Sequence, residues 1–409
     1  MVPGRSFLHP AIVHNWIAPS PPPQGPSDSF APYHCRARAP TALTPTFVLY
    51  LMGSAIVVLA FFHLAVFSRL AFRRQQAQPD RDLPVSVVVC GRNESSTLQR
   101  LIPLLMEQDH REFEVVVVND RSQDDTWEVL QWMKPNWPKL KPVNIQADEK
   151  FSYGKKLALG VGVRSAKYPH VLVTDADCLP AGRDWISLMA SGFKDGRQIV
   201  IGHSPYEQMP GLTNLLERYD GYTKAVQYIS LAQAGSPYMG VGRNMAFTTG
   251  LFFGAKGQQR HRQLMSGDDD LFINEVARAR NSSTVADPRA YMTTRATPDL
   301  GTWLRRKRRH YTTARFYRFG HQLLLTLLPA ARMLLWATLV FLLFTGHIQP
   351  ALAGLAVELL VFLPISMLAM HRLGAGGIVW LALPLEWLFL LLDPCIYLST
   401  LIFKPQRWK

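Results

Sequence analysis

Asp175 and Asp177 stand one residue apart where the apolar run Val171-Leu-Val-Thr174 ends. Two carboxylates so placed suit a hard divalent cation such as Mg2+ or Mn2+, which takes few protein ligands and leaves coordination sites for phosphate oxygens. A cation held there would neutralise a diphosphate leaving group and ease its departure. The spacing also fits a strand-end turn or a helix cap. Its context, an apolar strand that stops abruptly, favours the cation.

Other acids sit at comparable points. Asp120 closes the run Val115-Val-Val-Val-Asn119 and could accept hydrogen bonds from the base or ribose of a nucleotide; it could equally cap the helix that follows. Asp268, Asp269 and Asp270 open a helix, where the dipole favours negative charge. Three in a row exceed what capping needs. Their mutual repulsion should raise at least one pKa, which suits a general base that deprotonates a sugar hydroxyl. Against these acids stands the block Arg305-Arg-Lys-Arg-Arg-His310, either a juxtamembrane anchor or a cradle for phosphate.

A particular set of elements is needed to bring these residues together. Pro84 to Cys90 reads as a strand, Glu94 to Glu107 as an amphipathic helix, Phe113 to Asn119 as a strand and Gln123 to Met133 as a helix. Pro142 to Gln146 reads as a short strand, Gly154 to Ala166 as a helix with Ala and Gly on a packing face, and His170 to Thr174 as the fourth strand. This alternation predicts a parallel, Rossmann-like sheet wrapped by helices. Each strand would then deliver polar residues to one edge: Asn93 and Glu94, then Asp120, then Asp175 and Asp177. In open α/β sheets that edge is the binding crevice. Further on, the pattern predicts a helix from Leu212 to Ala232, a Gly-rich loop from Gly235 to Gly242 and a helix beginning at Ser266.

The rest of the chain concerns a membrane. Hydrophobic residues make up 48% of the 409, but they are concentrated at the two ends. Residues 1–45 are rich in Pro and Ser and read as disordered, with no signal peptide. Residues 46–68 form a first span, since Phe47 to Phe67 carries no formal charge and is long enough to cross a bilayer. A folded domain over 83–300 follows, then a basic juxtamembrane catalytic segment over 301–321, then about three spans over 323–403. Net charge is +14, and seven of the Lys and Arg lie between Arg305 and Arg318 with no acid among them. A basic block beside a span marks the cytoplasmic side and favours anionic head groups or substrates, so membrane lipids are expected partners and nucleic acid is not. Both anchors place the catalytic domain on the cytoplasmic face of an inner or plasma membrane. Asn93-Glu-Ser and Asn281-Ser-Ser fit glycosylation acceptors, which a cytoplasmic domain would leave unmodified. The four cysteines form no Cys-x-x-Cys pair and suggest neither zinc nor a disulfide framework.

In order along the chain, Val87-Val-Val-Cys-Gly-Arg-Asn-Glu94, Val117-Val-Asn-Asp-Arg-Ser122, Gly154-Lys-Lys-Leu-Ala-Leu159, Asp175-Ala-Asp177, Gly240-Val-Gly-Arg-Asn-Met-Ala246, Gly267-Asp-Asp-Asp270 and Trp303-Leu-Arg-Arg-Lys-Arg-Arg-His310 resemble the membrane-bound family 2 glycosyltransferases, the inverting enzymes that include cellulose, chitin and hyaluronan synthases. The resemblance covers about Leu83 to His310 and the flanking spans. It implies a GT-A fold, an α/β Rossmann-like nucleotide-diphospho-sugar transferase domain flanked by transmembrane helices. It implies Mg2+ or Mn2+ as cofactor, a nucleotide-diphospho-sugar donor and a lipid-linked or glycan acceptor. By the same resemblance Asp120 contacts the nucleotide with Lys155 near it, Asn93 and Glu94 line the donor site, and Asp177 is the principal metal-side acid with Asp175 beside it. Asp269 is the base, Asp268 its companion, and Arg306 and Arg309 hold the leaving diphosphate. Gly242, Asn244 and His310 fall on the acceptor side. The last motif departs from the family pattern, in which Arg is followed by a Trp that stacks on the acceptor sugar; here Arg309 is followed by His310. Guanidinium is kept and the indole platform is lost, which points away from a long processive polymer. Two readings of other classes remain open: a non-catalytic membrane scaffold or secretion component that keeps the fold, and a transporter whose spans carry paired charges. For the transporter, Glu386 and Asp393 are candidates without a basic partner in their own segment.

Overall fold

Valine runs with no charge at their centres make strands that must be covered on both faces, as in a parallel sheet between helices. The computed structural model describes residues 44–73, 76–146, 155–255, 267 and 269–402. The Pro-rich N-terminus, Gly154, Ser266 and Asp268 lie outside them.

Helix α1 (Pro45–Phe72) leads into β1 (Val85–Gly91), α2 (Ser95–Met106), β2 (Phe113–Asp120), α3 (Thr126–Met133), β3 (Leu140–Ile145), α4 (Lys155–Ser165) and β4 (His170–Asp175). After these come β5 (Cys178–Pro180), α5 (Trp185–Ala190), β6 (Ile199–Ile201), α6 (Leu212–Gln233), β7 (Met245–Thr248), α7 (Thr249–Gly254), α8 (Asp270–Val276), β8 (Ser282–Thr284) and β9 (Met292–Thr294). The basic helix α9 (Leu300–Tyr311) precedes α10 (Phe319–Phe344), α11 (Ile348–Arg372) and α12 (Ala382–Ile402).

The main sheet has the order β3-β2-β1-β4-β7-β6-β8. Its first four strands are parallel, β7 runs antiparallel to both β4 and β6, and β6 is parallel to β8. Strands β5 and β9 form a separate antiparallel pair. The run of parallel strands therefore ends at β4, and the far half of the sheet is mixed. Strands of three or four residues, such as β6, β7 and β8, are too short to show a period in sequence. The third strand starts at Leu140 rather than Pro142. As the edge strand it tolerates a proline inside it, because one row of its amides needs no partner. The second helix begins at Thr126 rather than Gln123, because the Asp124 side chain accepts from the Thr126 and Ser95 amides and holds the preceding residues in a loop.

Val85, Val87 and Val89 face α2, α3 and α5, while Val88, Val116 and Val118 face α4. A Cβ on Gly162 would come 2.5 Å from Val88 Cγ1, so α4 lies against β1 only because it carries glycine there. The apolar layer on the α4 and α6 side continues without a break into Phe62, Val66, Met370 and Ile378. The core beside the sheet and the ends of the apolar helices are thus one body. Among the described residues four helical stretches are long and apolar enough to cross a membrane: Pro45–Phe72, Phe319–Phe344, Ile348–Arg372 and Gly376–Thr400.

Candidate active site

Three parallel strands end side by side, and the loops after β1 and β2 are clamped to each other. Asn93 takes a left-handed backbone, φ 58°, which asparagine tolerates better than most residues. Its amide donates to Ser122 Oγ at 2.9 Å and its Oδ1 accepts from the Gln123 amide at 2.8 Å. Asn93 thus ties the loop after β1 to the loop after β2. The Glu94 amide donates to Thr126 Oγ1 at 2.9 Å, and the Glu94 carboxylate accepts from Thr97 Oγ1 at 2.5 Å. Burial pushes that carboxyl up, against the pull of the Thr97 hydroxyl, and the charges of Asp177, Asp175 and Asp124 push the same way. Glu94 therefore belongs to the same acidic neighbourhood as the strand-end pair. Asp120 is buried at the end of β2, held by Arg121 with Nε at 2.8 Å and Nη2 at 2.6 Å.

Lys155 opens α4 and places Nζ 2.5 Å from Asp175 Oδ1. Burial, and then the charge of Asp175, raise the carboxyl of Asp177, while Arg243 opposes them. The pair is crowded and partly desolvated, an arrangement that a bound cation relieves.

On the other wall, Asp269 is fixed by two backbone amides. Its Oδ1 accepts from Asp270 N at 2.8 Å and its Oδ2 from Gly242 N at 2.7 Å. A methyl group at Gly242 would stand 3.2 Å from Asp269 Oδ2 and 3.5 Å from Lys155 Nζ. The candidate base, the Gly242 backbone, Lys155 and the Asp175 carboxylate therefore occupy one continuous spot, which β7 and α4 assemble from positions far apart in sequence. Asp270 faces the opposite way. It is buried, and its Oδ2 accepts from Thr313 Oγ1 at 2.6 Å and Tyr317 OH at 2.7 Å. Burial and the charge of Asp269 push Asp270 up to about 6. Asp270 thus carries a raised carboxyl of the kind expected among these acids, with burial as its main cause.

The basic helix is not one uniform face. Asp299 caps it, accepting from Thr302 N at 2.9 Å. Arg306 pairs with the buried Glu217 at 2.9 Å, and Lys307 lies between Asp220 and Asp393, 2.7 Å from each. Arg308 Nε donates to Ser399 Oγ at 2.9 Å. His310 is exposed at the end of the helix, with Arg309, Lys224, Arg306 and Arg243 as its charged neighbours. Asn244 stands apart from the open site. Its Nδ2 donates to His203 O at 2.7 Å and Ala290 O at 2.8 Å, and its Oδ1 accepts from Trp185 Nε1 at 3.0 Å. The carboxamide is used up inside the core, and it holds the strand whose preceding residues form the site.

Arg243, between Gly242 and Asn244, is the residue that the motif contained and sequence reasoning passed over. Its guanidinium lies 4.6 Å from the centre of the Tyr206 ring, and that of Arg306 lies 5.8 Å from the same ring. The signal was the position itself, two residues before a strand that pairs with the acid-bearing one.

Two family models match the chain, Glycosyl transferase family 2 over residues 86–246 and Glycosyl transferase family group 2 over residues 170–373. The poly-beta-1,6-N-acetyl-D-glucosamine synthase of Staphylococcus epidermidis is 31% identical over 93 residues, 23% of this chain and 21% of that protein. An uncharacterized glycosyltransferase of Rickettsia bellii is 26% identical over 129 residues, 32% of this chain and 18% of its own length. The chain thus spans about a fifth of the length of the curated relatives it matches. Among solved structures, the mannosyltransferase PcManGT from Pyrobaculum calidifontis, in complex with GDP-Man and Mn2+, superposes with a TM-score of 0.52 at 20% identity, over 82% of this chain and 97% of that one. At that identity the likeness concerns the fold, which is of the GT-A type.

Proposed function

The chain belongs to the family 2 glycosyltransferases, and from that premise we propose that it is an inverting, metal-dependent enzyme of the membrane. It moves a sugar from a nucleotide-diphospho-sugar to a lipid-linked or glycan acceptor, with its catalytic domain on the cytoplasmic face. The observation that carries this reading is the close placement of two bonded pairs, Asp269 with Gly242 and Lys155 with Asp175, which brings a candidate base beside a candidate diphosphate site.

In this reading Asp269 takes the proton of the acceptor hydroxyl. Two backbone amides fix its carboxylate and leave oxygen lone pairs for that hydroxyl, so the base is positioned before the acceptor arrives. Asp120 receives the nucleoside, and Asn93 and Glu94 shape the floor beneath it. Asp175 and Asp177 would hold Mg2+ or Mn2+. Among the described residues no group of three His, Cys, Asp or Glu could hold a metal, and two carboxylates suffice for an ion that keeps phosphate oxygens as ligands. Such an ion, when bound, supplies positive charge to the departing diphosphate. Arg306 and Arg309, one turn apart on α9, add guanidinium charge from the membrane side. Asn244 contributes on the acceptor wall by holding Gly242 and Arg243 in place. With His310 where an indole would stack, transfer to a lipid-linked or short acceptor is favoured over long polymerisation.

The test uses the full chain in detergent or nanodiscs with Mn2+ and a panel of nucleotide-diphospho-sugars, UDP-N-acetylglucosamine and GDP-mannose among them. Hydrolysis or transfer should appear with at least one donor. Asp269→Asn should reduce it by roughly a hundredfold or more, as expected for loss of a general base. Equal activity in both proteins would leave Asp269 without its role, and no activity in either, with the fold intact, would favour the scaffold reading.

A further inference from the structure

The antiparallel pairing of β4 with β7 ends at Val173 opposite Met245. Continued two residues towards the crevice, the same register sets Arg243 across from Asp175. Both chain neighbours of Arg243 are immobilised, Gly242 by its bond to Asp269 and Asn244 by three hydrogen bonds in the core. The guanidinium rests 4.6 Å from the Tyr206 ring centre. The Tyr206 backbone is itself flanked by two bonds to β9, Glu207 N to Thr294 O and Thr294 N to Pro205 O, both 2.8 Å. A side chain anchored at its root and resting on an aromatic face has few places to go.

Among the described residues Arg243 makes no direct ion pair, although Asp175 and Asp177 both act on its charge. Lys155, by contrast, already grips Asp175 at 2.5 Å. The site therefore contains one cation that is bonded to the acid pair and one that is near it and unbonded. A guanidinium so placed balances the acids while they hold no metal, and it can fork onto phosphate oxygens when they do.

We propose that Arg243 is a phosphate ligand of the donor site: without metal it neutralises Asp175 and Asp177, and it passes to the diphosphate when those acids take a divalent cation. This rests on the metal-dependent donor site described above and adds a residue and a direction of exchange to it. One consequence is specific. Removing the Arg243 charge should tighten metal binding in the absence of nucleotide and weaken nucleoside diphosphate binding in its presence. A residue that only balanced the charge of these acids would do the first and not the second.

The experiment titrates MnCl2 into the full-length protein in detergent, reading free Mn2+ by electron paramagnetic resonance. It then titrates UDP and GDP at saturating Mn2+ by calorimetry. Arg243→Gln should bind Mn2+ about three- to tenfold more tightly, because one nearby positive charge is gone. The nucleoside diphosphate that the wild type binds should be weakened about tenfold or more, the loss of one charge-assisted contact. Arg243→Lys keeps the charge and loses the fork. It should leave Mn2+ affinity near that of the wild type and still weaken the nucleotide, and it carries the test if the Gln variant does not fold. Unchanged nucleotide affinity in both variants, beside a wild type that binds Mn2+ and nucleotide, overturns the role of Arg243 alone. A wild type that binds neither overturns the metal-dependent donor site on which the proposal stands.

Discussion

Asp269 and Asp270 are chain neighbours with opposite surroundings. Asp269 is partly exposed and held by backbone amides, whereas Asp270 is sealed beneath Thr313 and Tyr317. In the unfolded chain Asp270 titrates near 3.8, and in the fold near 6. The native state keeps a proton that the unfolded chain releases between those values, so the associated stabilisation is full below the lower value and lost as pH rises through the upper one. A shift of that size corresponds to about 3 kcal/mol. The apparent melting temperature should therefore lose this contribution between about pH 4 and about pH 6.5, and Asp270→Asn should flatten that decline. Parallel curves for the two proteins would show that Asp270 does not set the slope. The sequence displayed three acids and the need for one of them to be perturbed. It could not display which, because the hydroxyls that decide it come from more than forty residues further on. Arg243 was hidden for a related reason: an arginine in a loop has no period, and its meaning comes from the register of a strand of four residues.

At the scale of the element, α9 shows what a helix does to a run of like charges. Five basic residues in sequence looked uniform, yet a helical turn sends them to different partners. Arg306 and Lys307 turn towards α6, where Glu217 and Asp220 stand three residues apart, and Lys307 also reaches Asp393 on α12. The pairs Trp303 with Phe389, Lys307 with Asp393 and Tyr311 with Tyr397 are each separated by the same length of chain, so α9 and α12 run parallel. Although burial opposes it, Lys224 and Lys307 hold Asp220 down to about 2, so that acid is charged throughout the working range. Lys307→Met should leave Asp393 without this partner and unbalance Asp220, at a cost of about 3–5 kcal/mol. Arg305→Ala, at an exposed position, should change stability by about 0.5 kcal/mol or less. Thermal melts of the two variants check this. Equal melting temperatures would mean that α9 is not secured through Lys307. Activity of the Lys307 variant should also drop, because Arg306 and His310 flank the anchor on the same helix.

At the scale of the whole molecule, the apolar helices are joined by a polar knot that no single segment reveals. Arg332 on α10 meets Glu358 on α11, Glu386 at 2.8 Å on α12, and His63 Nε2 at 3.1 Å on α1, and His63 Nε2 also lies 3.1 Å from Ser366 Oγ. Glu386 and Asp393, which have no basic partner in their own segment, are paired by Arg332 and Lys307 from elsewhere in the chain. Sequence patterning identified long apolar stretches because length and hydropathy are local properties. Charge pairing across helices is not local, so the same acids looked unmatched. The knot links all four helices, and a buried ionic network of this kind can specify the mutual register of the helices that it joins. Arg332→Met would strand the wholly buried Glu358 together with Glu386, and should destabilise the detergent-solubilised protein by about 3–5 kcal/mol. Replacing all the charges at once, Arg332→Met with Glu358→Leu and Glu386→Leu, removes the stranded carboxylates and should recover most of the melting temperature. If the network specifies register rather than strength, the recovered protein should still have lower donor turnover than the wild type, with the base and the basic helix less well aligned. A triple variant no more stable than Arg332→Met would show that the helices depend on the ionic contacts themselves; one with full stability and full turnover would show that packing alone sets their register.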